Sequence, residues 1–67
     1  MAEGTYWRVH WMQEKKMHTI TRWSYCEALE LFESHLRLGH TWVLLNRHKP
    51  GYATVSVMAT PAVMKGE

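Results

Sequence analysis

The sequence predicts a small α+β domain: a four-stranded antiparallel sheet with one helix packed on one face, in the element order ββαββ. Three observations carry this expectation. "TYWRVHWM" alternates apolar and polar residues with the period of a strand, "SYCEALELFESHLRLG" has the spacing of an amphipathic helix, and Lys49-Pro50-Gly51 separates two further apolar runs.

The first strand follows Met1 to Gly4, with Trp7, Val9 and Trp11 expected on one face and Tyr6, Arg8 and His10 on the other. "QEKK" supplies a polar turn, and "MHTITRW" reads as the second strand of a hairpin. The helix, expected over about residues 25–38, opens at Ser24 with Glu27 three positions on, the spacing of a capping box. Gly39 stands where a helix C-terminus needs a residue of positive φ. Tyr25, Ala28, Leu29, Phe32 and Leu36 would make its apolar face, and Glu27, Glu30, Ser34 and Arg37 another. "HTWVLLNRH" and "YATVSVMA" read as strands three and four, joined by a turn in which Pro50 presets φ and Gly51 supplies the positive φ. Residues 5–60 form the domain in this reading, and Pro61 begins a loose tail over residues 61–67.

A helical connection returns strand three roughly parallel to strand two, and therefore antiparallel to strand one. Pairing strands one and three gives the order 2-1-3-4. The end of strand two, the start of strand one, the turn after strand three and the helix N-terminus then share one end of the sheet. Arg8, Arg22, Arg47, His48 and Lys49 gather there, with Tyr6 and Tyr52 beside them, while Glu27, Glu30 and Glu33 lie along the helix. Such an end is expected to bind DNA or RNA by phosphate neutralisation and base stacking. The bland alternative is a hairpin tip kept polar to stay soluble.

One helix covers only one face of such a sheet, yet "WVLL" is apolar at four consecutive positions. Of Trp42, Val43, Leu44 and Leu45, one alternating pair must face away from the helix. Together with Met58 these residues are expected to meet a second copy of the chain or a larger protein partner, unless the "PAVM" segment folds over them. The rival function is thus a protein-binding regulator or inhibitor, of the kind encoded by phages and mobile elements, docking by its apolar sheet face or edge strand.

At 67 residues the core must be dense, and four Trp, three Tyr and one Phe serve that need. A net charge of +2 leaves any nucleic-acid argument to the distribution of charge rather than its total. Cys26 is the only cysteine, no intramolecular disulfide is expected, and no apolar leader or membrane span is legible; a cytoplasmic protein is the expectation. Cys26 itself reads as a small buried side chain. Five histidines, His10, His18, His35, His40 and His48, invite a metal, with Cys26 as a further ligand, but the chain has no Cys-x-x-Cys, His-x-x-x-His or His-Glu-x-x-His, and the helix end separates His35 from His40. No metal, cofactor or catalytic group is therefore assigned. The carboxylates sit along a solvated helix with no adjacent nucleophile, so an enzyme is not expected.

Overall fold

A computed structural model describes residues 4–65. Strands β1 (Tyr6–Gln13) and β2 (Lys16–Arg22) form a hairpin, helix α1 (Tyr25–Arg37) crosses over, and β3 (Val43–His48) and β4 (Val55–Ala59) complete an antiparallel sheet of order β2-β1-β3-β4. The expected ββαββ arrangement is the one observed. The third and fourth strands are shorter than expected because turns take up their first residues. β3 begins only after the chain has reversed at the helix end, and β4 begins after Tyr52 N–H has closed a turn onto the Lys49 carbonyl at 3.0 Å.

The β1–β2 register pairs Gln13 with Lys16 and leaves Glu14 and Lys15 as a two-residue loop with φ of 54° and 65°. Two positive φ values are the signature of a type I′ hairpin turn, whose twist suits the strands but which Asn and Gly adopt more readily than Glu and Lys.

Alternation puts Val9, Trp11, Val43 and Leu45 under α1, where they close on Ala28 and Phe32, with Trp7, Ile20 and Leu31 at the margin. The expected helix face is displaced by part of a turn: Ala28, Phe32 and His35 are buried, while Tyr25 and Leu36 are exposed. His35 enters the core because Trp11 offers it a flat surface, their ring centroids lying 3.9 Å apart at 24°. His18 stacks on Trp11 at 5.4 Å. At the helix end Gly39 has φ 90°, His40 N–H donates to the His35 carbonyl and Gly39 N–H to the Leu36 carbonyl, a complete Schellman closure. That reversal brings His40 Nδ1 to 3.1 Å from His35 Nδ1, so the helix end joins the two rings rather than separating them.

Three further expectations need correction. Ser24 is the N-cap residue, but its side chain makes no cap hydrogen bond; its carbonyl accepts from Ala28 N–H and Glu27 stays in solvent, so no capping box forms. Cys26 is exposed, because it sits on the outer side of the first helical turn. Residues 61–64 of the segment read as a tail make a helical turn, α2 (Pro61–Met64), led by Thr60, which exchanges two hydrogen bonds of 3.1 Å with Val43. Residues 66 and 67 lie outside the described residues. Among the described residues no helix is long and apolar enough to cross a membrane.

Candidate nucleic-acid interface

Because successive strand residues point to opposite faces, the core alternation that buries Val9 and Leu45 sends their neighbours to the uncovered face. The strand register then builds that face in rows. Tyr6 lies opposite His48; Thr21, Arg8, Asn46 and Ser56 form the next row; Thr19, His10, Leu44 and Ala59 the third; Met17 and Met12 the fourth, with Trp42 beyond Met12. The open face is consequently graded, cationic and aromatic at one end and apolar at the other.

At the cationic end Tyr6 and His48 lie parallel with centroids 5.0 Å apart, and the Arg8 guanidinium sits 5.2 Å from the Tyr6 centroid. Thr54 Oγ1 and His48 Nδ1 share a hydrogen bond of 3.2 Å, and His10 Nδ1 and Thr19 Oγ1 one of 2.8 Å. Arg8 Nε, Asn46 Oδ1 and His48 Nε2 are buried from solvent yet have no hydrogen-bond partner among the described residues. Burial and, second, the neighbouring Arg8 hold His48 below the ordinary imidazole value; burial, Arg8 and His48 do the same to His10. Near neutral pH, therefore, Arg8 is the full positive charge of this cluster and the two imidazoles are uncharged polar groups.

The Pro50-Gly51 turn, with φ 82° at Gly51, closes a pocket of about 280 Å³ at this corner, lined by Tyr6, His48, Lys49, Pro50, Gly51, Tyr52 and Thr54. Lys49 Nζ lies 4.5 Å over the ring of Tyr52, a side chain that is 70% exposed.

Of the residues expected at the basic end, Tyr6, Arg8, His48, Lys49 and Tyr52 come together at this corner. Arg22 and Arg47 share the same end but the opposite face, flanking Trp7 on the helix side, where Arg22 Nη1 donates to the Thr21 carbonyl at 3.0 Å. The expected interface also divides. Val43 and Leu45 are fully buried core, Trp42 and Leu44 lie half-buried on the open face, and Met58 is exposed on the helix side of β4, beyond the reach of α1. Sequence reasoning placed His10 on the outer face with Arg8 but passed over Asn46, Thr19 and Thr54; Asn46 and Thr19 reach that face through the register of β3 and β2 on β1, and Thr54 depends on the fold of the turn. Among the described residues no group of three or more metal-ligating side chains converges. No family model matches the chain, and neither a curated protein nor a solved structure matches it.

Proposed function

We propose that this protein is a non-enzymatic binding module that takes a single nucleic-acid strand at the cationic corner of its open sheet face. One observation carries the reading: a pocket walled by Tyr6, His48, Lys49 and Tyr52 opens at the corner where the Arg8 guanidinium lies 5.2 Å from the Tyr6 ring. Arg8 and Lys49 would meet phosphates, Tyr52 would stack a base, and Arg22 and Arg47 would attract the strand from the far side of the same end. A lone exposed Cys26 fits a reducing, cytoplasmic setting.

Fluorescence anisotropy with short single-stranded DNA and RNA, titrated from about 50 mM salt upward, tests this directly. Arg8→Ala should weaken binding across sequences and lower the salt slope by roughly one unit, because one phosphate is then no longer neutralised. Tyr52→Ala should cost about 1–3 kcal/mol with the slope unchanged. Arg47→Ala should do less than Arg8→Ala, since it lies on the other face. Absence of binding to any single strand at the lowest salt would overturn the proposal.

The second reading, a protein-binding regulator or inhibitor, is favoured by the apolar outer edge of β4. Its ligand would be a strand or apolar surface of another protein.

A further inference from the structure

We infer that β4 is the seam of a homodimer, in which two copies pair their β4 strands antiparallel about a two-fold axis to make one continuous sheet. This seam is separate from the ligand corner and uses other residues.

The two outer edges of the sheet differ in chemistry. β2 carries Lys16, His18 and Arg22 along its length. If two β2 strands met antiparallel, Lys16 of one copy would approach Arg22 of the other, and like charges across a strand pair destabilise it. The β4 edge has no such guard. From Pro50 to Met64 the chain has no charged side chain, and the strand itself reads VSVMA. Self-pairing there brings no like charges together. It also places the neighbouring cation Arg47, which lies opposite Val55, at the end of the seam away from its counterpart in the second copy. For a chain of net charge +2 this is the edge along which a copy of itself can approach with no charged side chain of either strand in the seam.

Packing points the same way. Helix α1 lies over β1, β2 and β3 and leaves β4 uncovered. Val55, Val57 and Met58 are therefore 43%, 38% and 39% exposed, although they belong to a sheet strand, and Met64 just beyond is 79% exposed. Ser56, Val57, Met58, Ala59 and Met64 line a shallow groove of about 240 Å³ along this edge. Two such strips become contiguous when the strands pair, so each copy removes the other's apolar surface from water, while the outer N–H and C=O groups of each β4 find partners. The partner that fits is neutral, extended and apolar, and a second β4 has all three properties. The irregularity between Leu45 and Asn46, where Val57 is the extra residue of β4, limits the pairing to a short seam.

Light scattering coupled to size exclusion should give wild-type protein twice the monomer mass at micromolar concentration. Val57→Lys should halve that mass and raise the dimer dissociation constant at least tenfold with the circular dichroism spectrum retained. Met17→Lys, the matching charge on the β2 edge, should leave the dimer intact. If Val57→Lys fails to fold, the wild type still decides: a mixture of isotope-labelled and unlabelled protein should show intermolecular contacts within residues 55–59. A monomeric wild type, intermolecular contacts through β2 or the open face, or a dimer lost in Met17→Lys and kept in Val57→Lys would overturn the inference.

Discussion

The two faces of this sheet are built from alternate residues of the same strands, and they solve opposite problems. Under α1, Val9, Val43 and Leu45 are wholly shielded, and of the two polar residues buried with them Thr60 bonds Val43 while His35 is held between Trp11 and His40. One residue along, Arg8, His10 and Asn46 stand on the open face, and their polar atoms are only partly satisfied. The open face is therefore not a failed core. A solvated sheet face needs only scattered polar residues, whereas this one concentrates an arginine, two histidines held neutral and an asparagine in adjacent rows, with its apolar residues at the other end.

Substituting two neighbours should separate the faces most widely. Leu45→Ala opens a cavity in the fully buried layer and should cost about 2–5 kcal/mol, a large share of the stability of a domain this small. Asn46→Ala, the next residue, removes a carbonyl oxygen that has no partner among the described residues, and should change stability by no more than about 0.5 kcal/mol. Urea denaturation of the two variants measures both. Equal losses would mean that the faces are not energetically distinct.

Acid separates the faces a second way. His35, His10 and His48 are each held below the ordinary imidazole value, by burial first and then by the neighbouring positive groups. Above a pH of about 6.5 each is neutral in both folded and unfolded chains and contributes no pH dependence. Below it the unfolded chain takes up protons first, so stability falls, by up to about 1.4 kcal/mol per pH unit for each histidine until its folded value is reached. His35 adds a specific loss. His35 Nδ1 is engaged with His40 Nδ1 and its Nε2 is buried with no partner among the described residues, so a proton taken up at Nε2 is a buried charge without an acceptor. His35→Phe should flatten the pH dependence of the urea midpoint between about pH 6.5 and 5. On the open face the same direction of shift has the opposite consequence for binding. A phosphate beside His48 or His10 favours the charged form, so nucleic-acid affinity should rise as pH falls through the same window, and His48→Gln should remove most of that rise. A pH-independent affinity would detach the histidines from the site.

The ββαββ order and the β2-β1-β3-β4 pairing were legible because both rest on alternation and on helix reversal, which are local. So was the gathering of cations at one end, which follows from the pairing. Which face each cation takes was legible only in part: Arg8 against Val9 follows from alternation in one strand, but Arg22 and Arg47 are assigned by the register across two pairs, and a slip of one residue reverses them. The place of His35 was not legible. Leu36 is the better apolar residue by composition, and only the position of Trp11 beneath the helix makes an imidazole the better fit. Exposure of Cys26 and the missing Ser24 cap likewise depend on how α1 is rotated about its axis, which a short amphipathic stretch leaves loose.

A smaller effect tests what fixes the register itself. The assignment of Trp7, Val9 and Trp11 to the core and of Arg8 and His10 to the open face depends on the two-residue turn at Glu14 and Lys15, because one residue more or fewer there would present the other face of β2 to its partner. Both turn residues hold a left-handed backbone, φ 54° and 65°, that a side chain with Cβ resists and glycine accepts without steric cost. Lys15→Gly should therefore stabilise the folded state by about 0.5–1 kcal/mol, the relief of strain being partly offset by the larger entropy of a glycine in the unfolded chain. The gain should appear in the urea midpoint without a change in the slope of the transition, and backbone amide shifts of β1 and β2 should keep their pattern. Lys15 is exposed at the far end of the sheet from Arg8, so oligonucleotide affinity should stay the same within error. A loss of stability in Lys15→Gly would show that the turn is not the type I′ conformation, and the division of residues between the two faces would lose its anchor.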